Sequence, residues 1–424
     1  MRMRSIRFEV SALVAAVLLA CPSASAYAAE PVLPSVSAPA SVPDAPTRFR
    51  DFLRDFRSEA INAGIAAETY DRAVANINLN PRVETLNLNQ PEFVRPVWDY
   101  LSGAITNARV NRGKELLEQN SGLLGRLEQT YGVPSQFLVA IWGMETGYGQ
   151  NQGNFNLFEA LATLAYEGPR VAYARRQLIA ALKIAELEHR DPSTMTGSWA
   201  GAFGLTQFVP TTFLERAVDG DGDGIRDLWN SPADALASTA NYLKLSGWHG
   251  DVGWGEEVQL PADFSYENSD PEIRKTISEW TAMGVRKING EPLTGSDEQS
   301  AIFLPAGARG PAFLLRDNFY AILKYNFATS YALAVSELAD RYKGSEGIVA
   351  SWPRDEVMLN ANQRVVLQQC LTVLGFDTGG TDGIFGRLTR QALREYQKSR
   401  GIPADGFPTA QMLTRILNER YALP

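Results

Sequence analysis

Apolar positions recur every three to four residues through long tracts of this chain, and that spacing predicts helices. FRDFLRDFRSEAINAGI, LEQTYGVPSQFLVAIWGME and FEALATLAYEGPRVAYARRQLIAALKIAELEH carry the pattern, the last with a break at Gly168-Pro169. SPADALASTANYLKLSGW follows, with Ser231 placed to cap the helix that opens at Pro232. Between about 253 and 315 the period changes. VQLP, GVRKI and SAIFLPAG read as short strands between turn residues. NFYAILKYN and SYALAVSELADRYKG return to helix. A turn-rich stretch at 346–358 precedes a last unit of about sixty residues, 359–420, a size able to fold alone. The pattern predicts a mainly α protein: a helical domain over 47–345 with a small β insert, then a small three-helix unit.

The N-terminus departs from this. MRMRSIRFEV is basic, SALVAAVLLA is a short apolar run, and small residues follow. That is a secretory signal pattern, too short for a membrane-spanning helix. Cleavage after Ala26 or Ala28 would close an A-x-A site. A lipoprotein signal ending at Cys21 stays open beside it. Residues 27–46, rich in Ala, Pro, Ser and Val, read as a flexible leader. The net charge of −8, with both signs mixed and no basic block, gives no footing for nucleic acid. Cys21 and Cys370 are the two cysteines of the 424 residues, so an intrachain disulfide is not expected. Cys370 shares a helical face with Leu367, Leu371 and Leu374, as a buried structural thiol does.

Three segments carry chemistry. In AIWGMETGYG, Glu145 ends an apolar helix that Gly147 stops, with Pro134 read at the first helical position. The negative helix end and loss of water both raise a carboxyl's pKa there, fitting it to donate a proton. An exposed helix-end glutamate is the plainer alternative. GSWAGAFGLTQFVPTTF is Gly-rich, allowing close backbone approach. Its Ser198 and Gln207 offer hydrogen bonds, and Trp199, Phe203 and Phe208 offer faces for a sugar ring; a Gly-rich loop feeding a helix is the plainer alternative. DGDGDGIRDLWNSPAD opens like an EF-hand calcium loop, with Asp219, Asp221, Asp223, the Ile225 carbonyl and Asp227 as oxygen donors. Asn230 stands where a twelfth-position Glu is usual, and Asp234 is the residue to close the site. A solvated Asp-Gly turn is the alternative. His189 and His249 lie outside any ligand cluster.

METGYGQNQGN, EALATLAYEGPR, GSWAGAFGLTQFVPTTF, LWNSPADALASTANYL and NFYAILKYNFATSYALAV, in this order, resemble the membrane-bound lytic transglycosylase B group of peptidoglycan lyases. The resemblance spans roughly residues 46–345. It implies a lysozyme-like core, periplasmic action on murein glycan, Glu145 as catalytic acid, and Ser198, Gln207, Tyr242, Tyr325 and Tyr331 as glycan-groove residues. It also implies an extended calcium loop, with calcium structural rather than chemical. Tyr148 and Leu205-Thr206 depart from the common pattern. LNANQRVVLQQCLTVLGFDTGGTDGIFGRLTRQALREYQKSRGIPADGF resembles the small peptidoglycan-binding domain of wall enzymes, although its Asp405-Gly406 turn runs straight into Phe407-Pro408.

Ordinary glycosidases flank the bond with two carboxylates. Glu159 and Glu167 read as structural or solvated, leaving Glu145 to act alone as acid and then base, with the muramyl sugar's own 6-hydroxyl as nucleophile. The expectation is an exported, monomeric lytic transglycosylase acting on glycan strands, with wall-synthesis or remodelling proteins as further partners. A hydrolytic muramidase and a non-catalytic wall-binding protein are the rivals.

Overall fold

A computed structural model describes residues 44–88, 95–250, 252–295 and 297–422. The signal, the leader up to residue 43 and Cys21 lie outside them. Among the described residues there are 17 α-helices and seven strands. No helix there is long and apolar enough to cross a membrane.

The central helix is Ser135–Thr146, buried on every side from Phe137 to Gly143. Such a helix is hydrophobic all round because others surround it. The helices Asn107–Gln119, Ser121–Tyr131, Pro232–Leu245 and Thr329–Tyr342 pack against it. Leu157–Tyr166 and Val171–Leu187 form an adjoining pair, and Gly168 in the turn between them takes φ 111°. Pro134 proves to be the extended residue before the helix, φ −62° and ψ 138°, rather than its first turn. Ser231 caps as expected, its hydroxyl accepting from Asp234 N.

The insert is a five-stranded antiparallel sheet in the order Lys275–Thr276, Gln299–Phe303, Ala312–Leu315, Gly255–Gln259, Arg286–Lys287. One face covers its own small core around Trp280, Ile277, Val258 and Leu314. The strand Ala312–Leu315 is buried along its whole length. It therefore lacks the alternation that marks a half-exposed strand, and the sequence reading passed over it.

The last unit consists of helices Ala361–Val373, Arg387–Ser399 and Ala410–Tyr421 around Leu367, Cys370, Leu393, Tyr396 and Ile416. It is also docked on the insert. Arg394 pairs with Asp270 at 2.9 Å, with both side chains largely buried. Asp405 accepts from Ala308 N at 2.8 Å and from Gln397 Nε2 at 2.8 Å. A Cβ at Gly307, φ 67°, would lie 2.6 Å from the Asp405 carboxylate. The irregular Asp405-Gly406-Phe407 turn is thus spent on an internal contact.

Candidate active site

Glu145 occupies the last turn of the central helix, which Gly147 ends in the left-handed region at φ 59°. Its carboxyl is half-buried, and Oε1 accepts from the Tyr331 hydroxyl at 2.6 Å. Burial pushes Glu145 up from 4.5 to about 7, and the Tyr331 hydrogen bond opposes part of the rise. No neighbouring carboxylate contributes to it. The group is therefore an acid poised near neutrality by desolvation.

Tyr331 starts the helix Thr329–Tyr342 and Tyr325 ends the one before. Tyr325 donates to Thr206 O at 2.6 Å, and Tyr242 donates to Lys324 O at 2.6 Å. The rings of Tyr242 and Tyr325 meet edge to face at 4.8 Å, with Phe208 at 6.0 Å from each. Burial and then the Glu145 charge hold the Tyr325 and Tyr331 phenols well above their ordinary value, so both stay protonated as donors. Tyr100 is raised by the same two causes, and its place beside the acid was not visible in the sequence.

Behind Glu145 the chain makes three successive left-handed residues, Gly147, Tyr148 and Gly149, at φ 59°, 63° and 89°. For tyrosine this conformation costs on the order of 1–2 kcal/mol. The Tyr148 hydroxyl donates to Arg109 O at 2.6 Å and shares a 2.7 Å hydrogen bond with Tyr342. It faces the neighbouring helices, so this departure from the family pattern supports the acid's helix from behind. A Cβ at Gly143 would lie 2.7 Å from the Tyr148 ring, and one at Gly113 2.2 Å from the Tyr342 ring. Thr146 Oγ1 donates to Leu205 O at 2.6 Å, fastening the acid's helix to the Gly-rich segment.

That segment folds back on itself. Ser198 Oγ accepts from Ala202 N at 3.0 Å, and Phe203 bridges to Phe208. Gln207, at φ 52°, donates through Nε2 to Gln152 O and Gly204 O, each at 3.0 Å. Its amide N–H groups thus bind two loops together. Phe203 and Phe208 are core residues, 0% and 2% exposed, and offer no open face to a sugar. Phe203 stacks on Trp229 at 4.2 Å instead. Trp199 is partly exposed beneath Arg170. Glu159 accepts from Asn80 Nδ2 at 2.6 Å, a structural contact, and Glu167 is exposed.

Asp219, Asp221 and Asp223 place carboxylate oxygens within 4.8 Å of one another, all exposed. Ile225 N binds Asp223 Oδ1 at 2.8 Å. Asp234 is not one of these three, though the charges of Asp221 and Asp219 act on it. It is 1% exposed, and its two oxygens accept from Gly220 N and Asp227 N at 2.7 Å. Asp227 pairs with Arg190 at 2.8 Å. Three clustered carboxylates suit a hard, oxygen-seeking cation.

Residues 48–340 match the transglycosylase SLT domain family, and residues 360–416 match the putative peptidoglycan binding domain family. A curated relative, the membrane-bound lytic murein transglycosylase B of Escherichia coli (strain K12), is 35% identical over 267 residues, 61% of this chain and 71% of that protein. SltB3 from Pseudomonas aeruginosa, solved in complex with NAG-anhNAM-pentapeptide, is 51% identical with a TM-score of 0.85, covering 87% of this chain and 99% of that one. The Escherichia coli lytic transglycosylase Slt35, solved in complex with calcium, is 29% identical with a TM-score of 0.60, covering 70% and 93%. With more than half its length matched, the chain belongs to the transglycosylase SLT domain family.

Proposed function

We propose that this protein is a lytic transglycosylase that cleaves the β-1,4 bond between N-acetylmuramic acid and N-acetylglucosamine in peptidoglycan, with Glu145 as its single acid and base. The observation that carries this reading is one half-buried carboxyl, raised to about 7, held by the Tyr331 hydroxyl. Protonated Glu145 gives its proton to the glycosidic oxygen as the bond to C1 breaks. The muramyl acetamido group stabilises the cationic centre. Glu145, now ionised and still hydrogen-bonded by Tyr331, takes the proton of the sugar's 6-hydroxyl, whose oxygen bonds to C1. No water enters, and the new end is a 1,6-anhydromuramyl ring. Ser198 and the Tyr242–Tyr325 pair line the glycan path, while Gln207 shapes it by tying its loops.

Calcium fits the Asp219, Asp221 and Asp223 cluster with the Ile225 carbonyl, as a structural ion. It would fix the loop before the helix Pro232–Leu245, which carries Tyr242. Asp234 supports that loop through two amides from beneath. The substrate places the protein in the cell envelope, reached through the N-terminal signal, acting as a monomer alongside other wall-remodelling proteins.

Digestion of purified murein in ¹⁸O-labelled water tests the reading by mass. Anhydro ends free of heavy oxygen are expected. Heavy oxygen in the new ends makes the protein a muramidase, and an undigested wall makes it a binding protein.

A further inference from the structure

Two of the aromatics that the sequence offered as sugar faces, Phe203 and Phe208, lie in the core. Phe327 does the opposite. It is 86% exposed, the highest value among the exposed large apolar side chains of the described residues. It belongs to no hydrophobic cluster there. Its ring therefore adds little to the stability of the fold, and its flat faces are open to a ligand. Single exposed apolar residues are ordinary on a protein surface, so position decides what this one does.

The position is at the reaction centre. The helix Asp317–Tyr325 ends two residues before Phe327, and the helix Thr329–Tyr342 opens two residues after it. Asn326 and Ala328 are both extended, at ψ 121° each. Asn326 Oδ1 accepts from Ala328 N at 3.1 Å, which fixes the backbone on either side of the ring. Both ends of this link are tied beside the acid. On one side Tyr325 donates to Thr206 O, and Lys324 O accepts from Tyr242. On the other, Tyr331 holds Glu145. An extended chain spans ~3.3–3.6 Å per residue, so the Phe327 Cα lies at most about 7 Å from that of Tyr325 and about 14 Å from that of Tyr331. A ring with a tethered base and open faces suits the C–H face of a pyranose, whose hydroxyls stay in water at its edge.

We propose that Phe327 is a sugar-binding residue at the rim of the glycan path, its ring stacking on a pyranose of the strand under cleavage. The inference rests on peptidoglycan glycan being the substrate. It gives that path an open aromatic face in place of the two that are buried, on the link between Tyr325 and Tyr331.

Initial rates for Phe327→Ala, Phe327→Leu and Phe327→Trp test it on peptide-bearing glycan and on glycan stripped of peptides. Phe327→Ala is expected to raise KM roughly tenfold with kcat held, the size of losing one buried ring face. The rise should be equal on both substrates, because the contact is to sugar. Phe327→Trp should keep the wild-type KM, and Phe327→Leu, apolar but not flat, should lose most of it. Tm should stay at the wild-type value in all three. An unchanged KM, a rise confined to peptide-bearing glycan, or a fall in Tm would overturn the proposal. Titration of a soluble peptide-free oligosaccharide of N-acetylglucosamine and N-acetylmuramic acid separates this from the proposed reaction, since it needs no turnover. With Glu145→Gln as the parent, weaker binding when Phe327→Ala is added supports the contact even in a protein that cleaves nothing. Equal binding to both, or no binding to the parent, refutes it.

Discussion

Replacing Glu145 by glutamine should disable the protein and stabilise it at once. The wild-type carboxyl moves from 4.5 to about 7 on folding because burial disfavours its charge. Below pH 4.5 it is protonated in both states and costs nothing. Between 4.5 and about 7 the folded chain keeps a proton that the unfolded chain has lost, so stability falls relative to a neutral side chain. Above that window the full penalty is present, roughly 3 kcal/mol at ~1.36 kcal/mol per pH unit. Glutamine keeps the size and the acceptor for Tyr331 and never ionises. For a folding unit of ~300 residues, ~2.1 cal/mol/K per residue converts that penalty into about 5 °C of Tm. The Tm of Glu145→Gln should therefore exceed wild type by about 5 °C at pH 8 and match it at pH 4. Turnover should fall by more than the ~10²–10⁴ of one proton transfer, because two steps are lost. Glu337 is the control. It is 7% exposed and also raised to about 7, by burial and then by Asp340, but it lies outside the site. Glu337→Gln should bring a similar alkaline gain with turnover intact. Near-normal turnover in Glu145→Gln, or a Tm gain independent of pH, would refute the assignment of the acid.

The remaining expectations concern what surrounds the acid. Tyr148→Phe and Tyr342→Phe should each lower kcat with KM held, and the double variant should lose no more than Tyr148→Phe alone, since that change already breaks the hydroxyl pair along with the bond to Arg109 O; additive losses in kinetics would contradict that coupling. Calcium should raise Tm by mass action and chelator should reverse it, and Asp219→Ala with Asp223→Ala should abolish the response; a wild-type Tm indifferent to calcium would remove the metal site. Deleting residues 359–424 should weaken sedimentation with insoluble sacculi and also lower the Tm of what remains, because the insert loses the contacts at Asp270 and Ala308; an unchanged Tm would show that the docking contributes nothing.

What the sequence disclosed was local. The Ser231 cap, the Gly147 stop and the helices on either side of Gly168-Pro169 are each set by residues a few positions apart, and pattern suffices for those. Glu145 was visible because an acid closing a fully apolar helix has few places to go. Phe203 and Phe208 were misread as sugar platforms, since an aromatic between glycines looks the same whether its ring faces a groove or a core. Tyr100, the Tyr148–Tyr342 pair and the Asp405 contact to Ala308 were invisible for another reason. Their partners lie 39 to 194 positions away, or in another unit, and no periodicity announces them. The tail illustrates this best: its own core is legible as a three-helix pattern, while the arginine and aspartate that dock it look like ordinary surface charges.

The glycines behind the acid also constrain how the chain can be engineered. Gly113 and Gly143 sit inside helices, where replacing glycine by alanine ordinarily gains about 1 kcal/mol. A consensus-style stabilisation campaign would choose both. Here each vacancy is filled by a tyrosine ring, 2.2 Å and 2.7 Å from where the new methyl would stand. Alanine can enter only after the facing tyrosine has been shortened, and shortening it dissolves the hydroxyl pair that secures the left-handed turn. The four positions must therefore change as a block or stay as they are, and a library that varies them singly would record only losses.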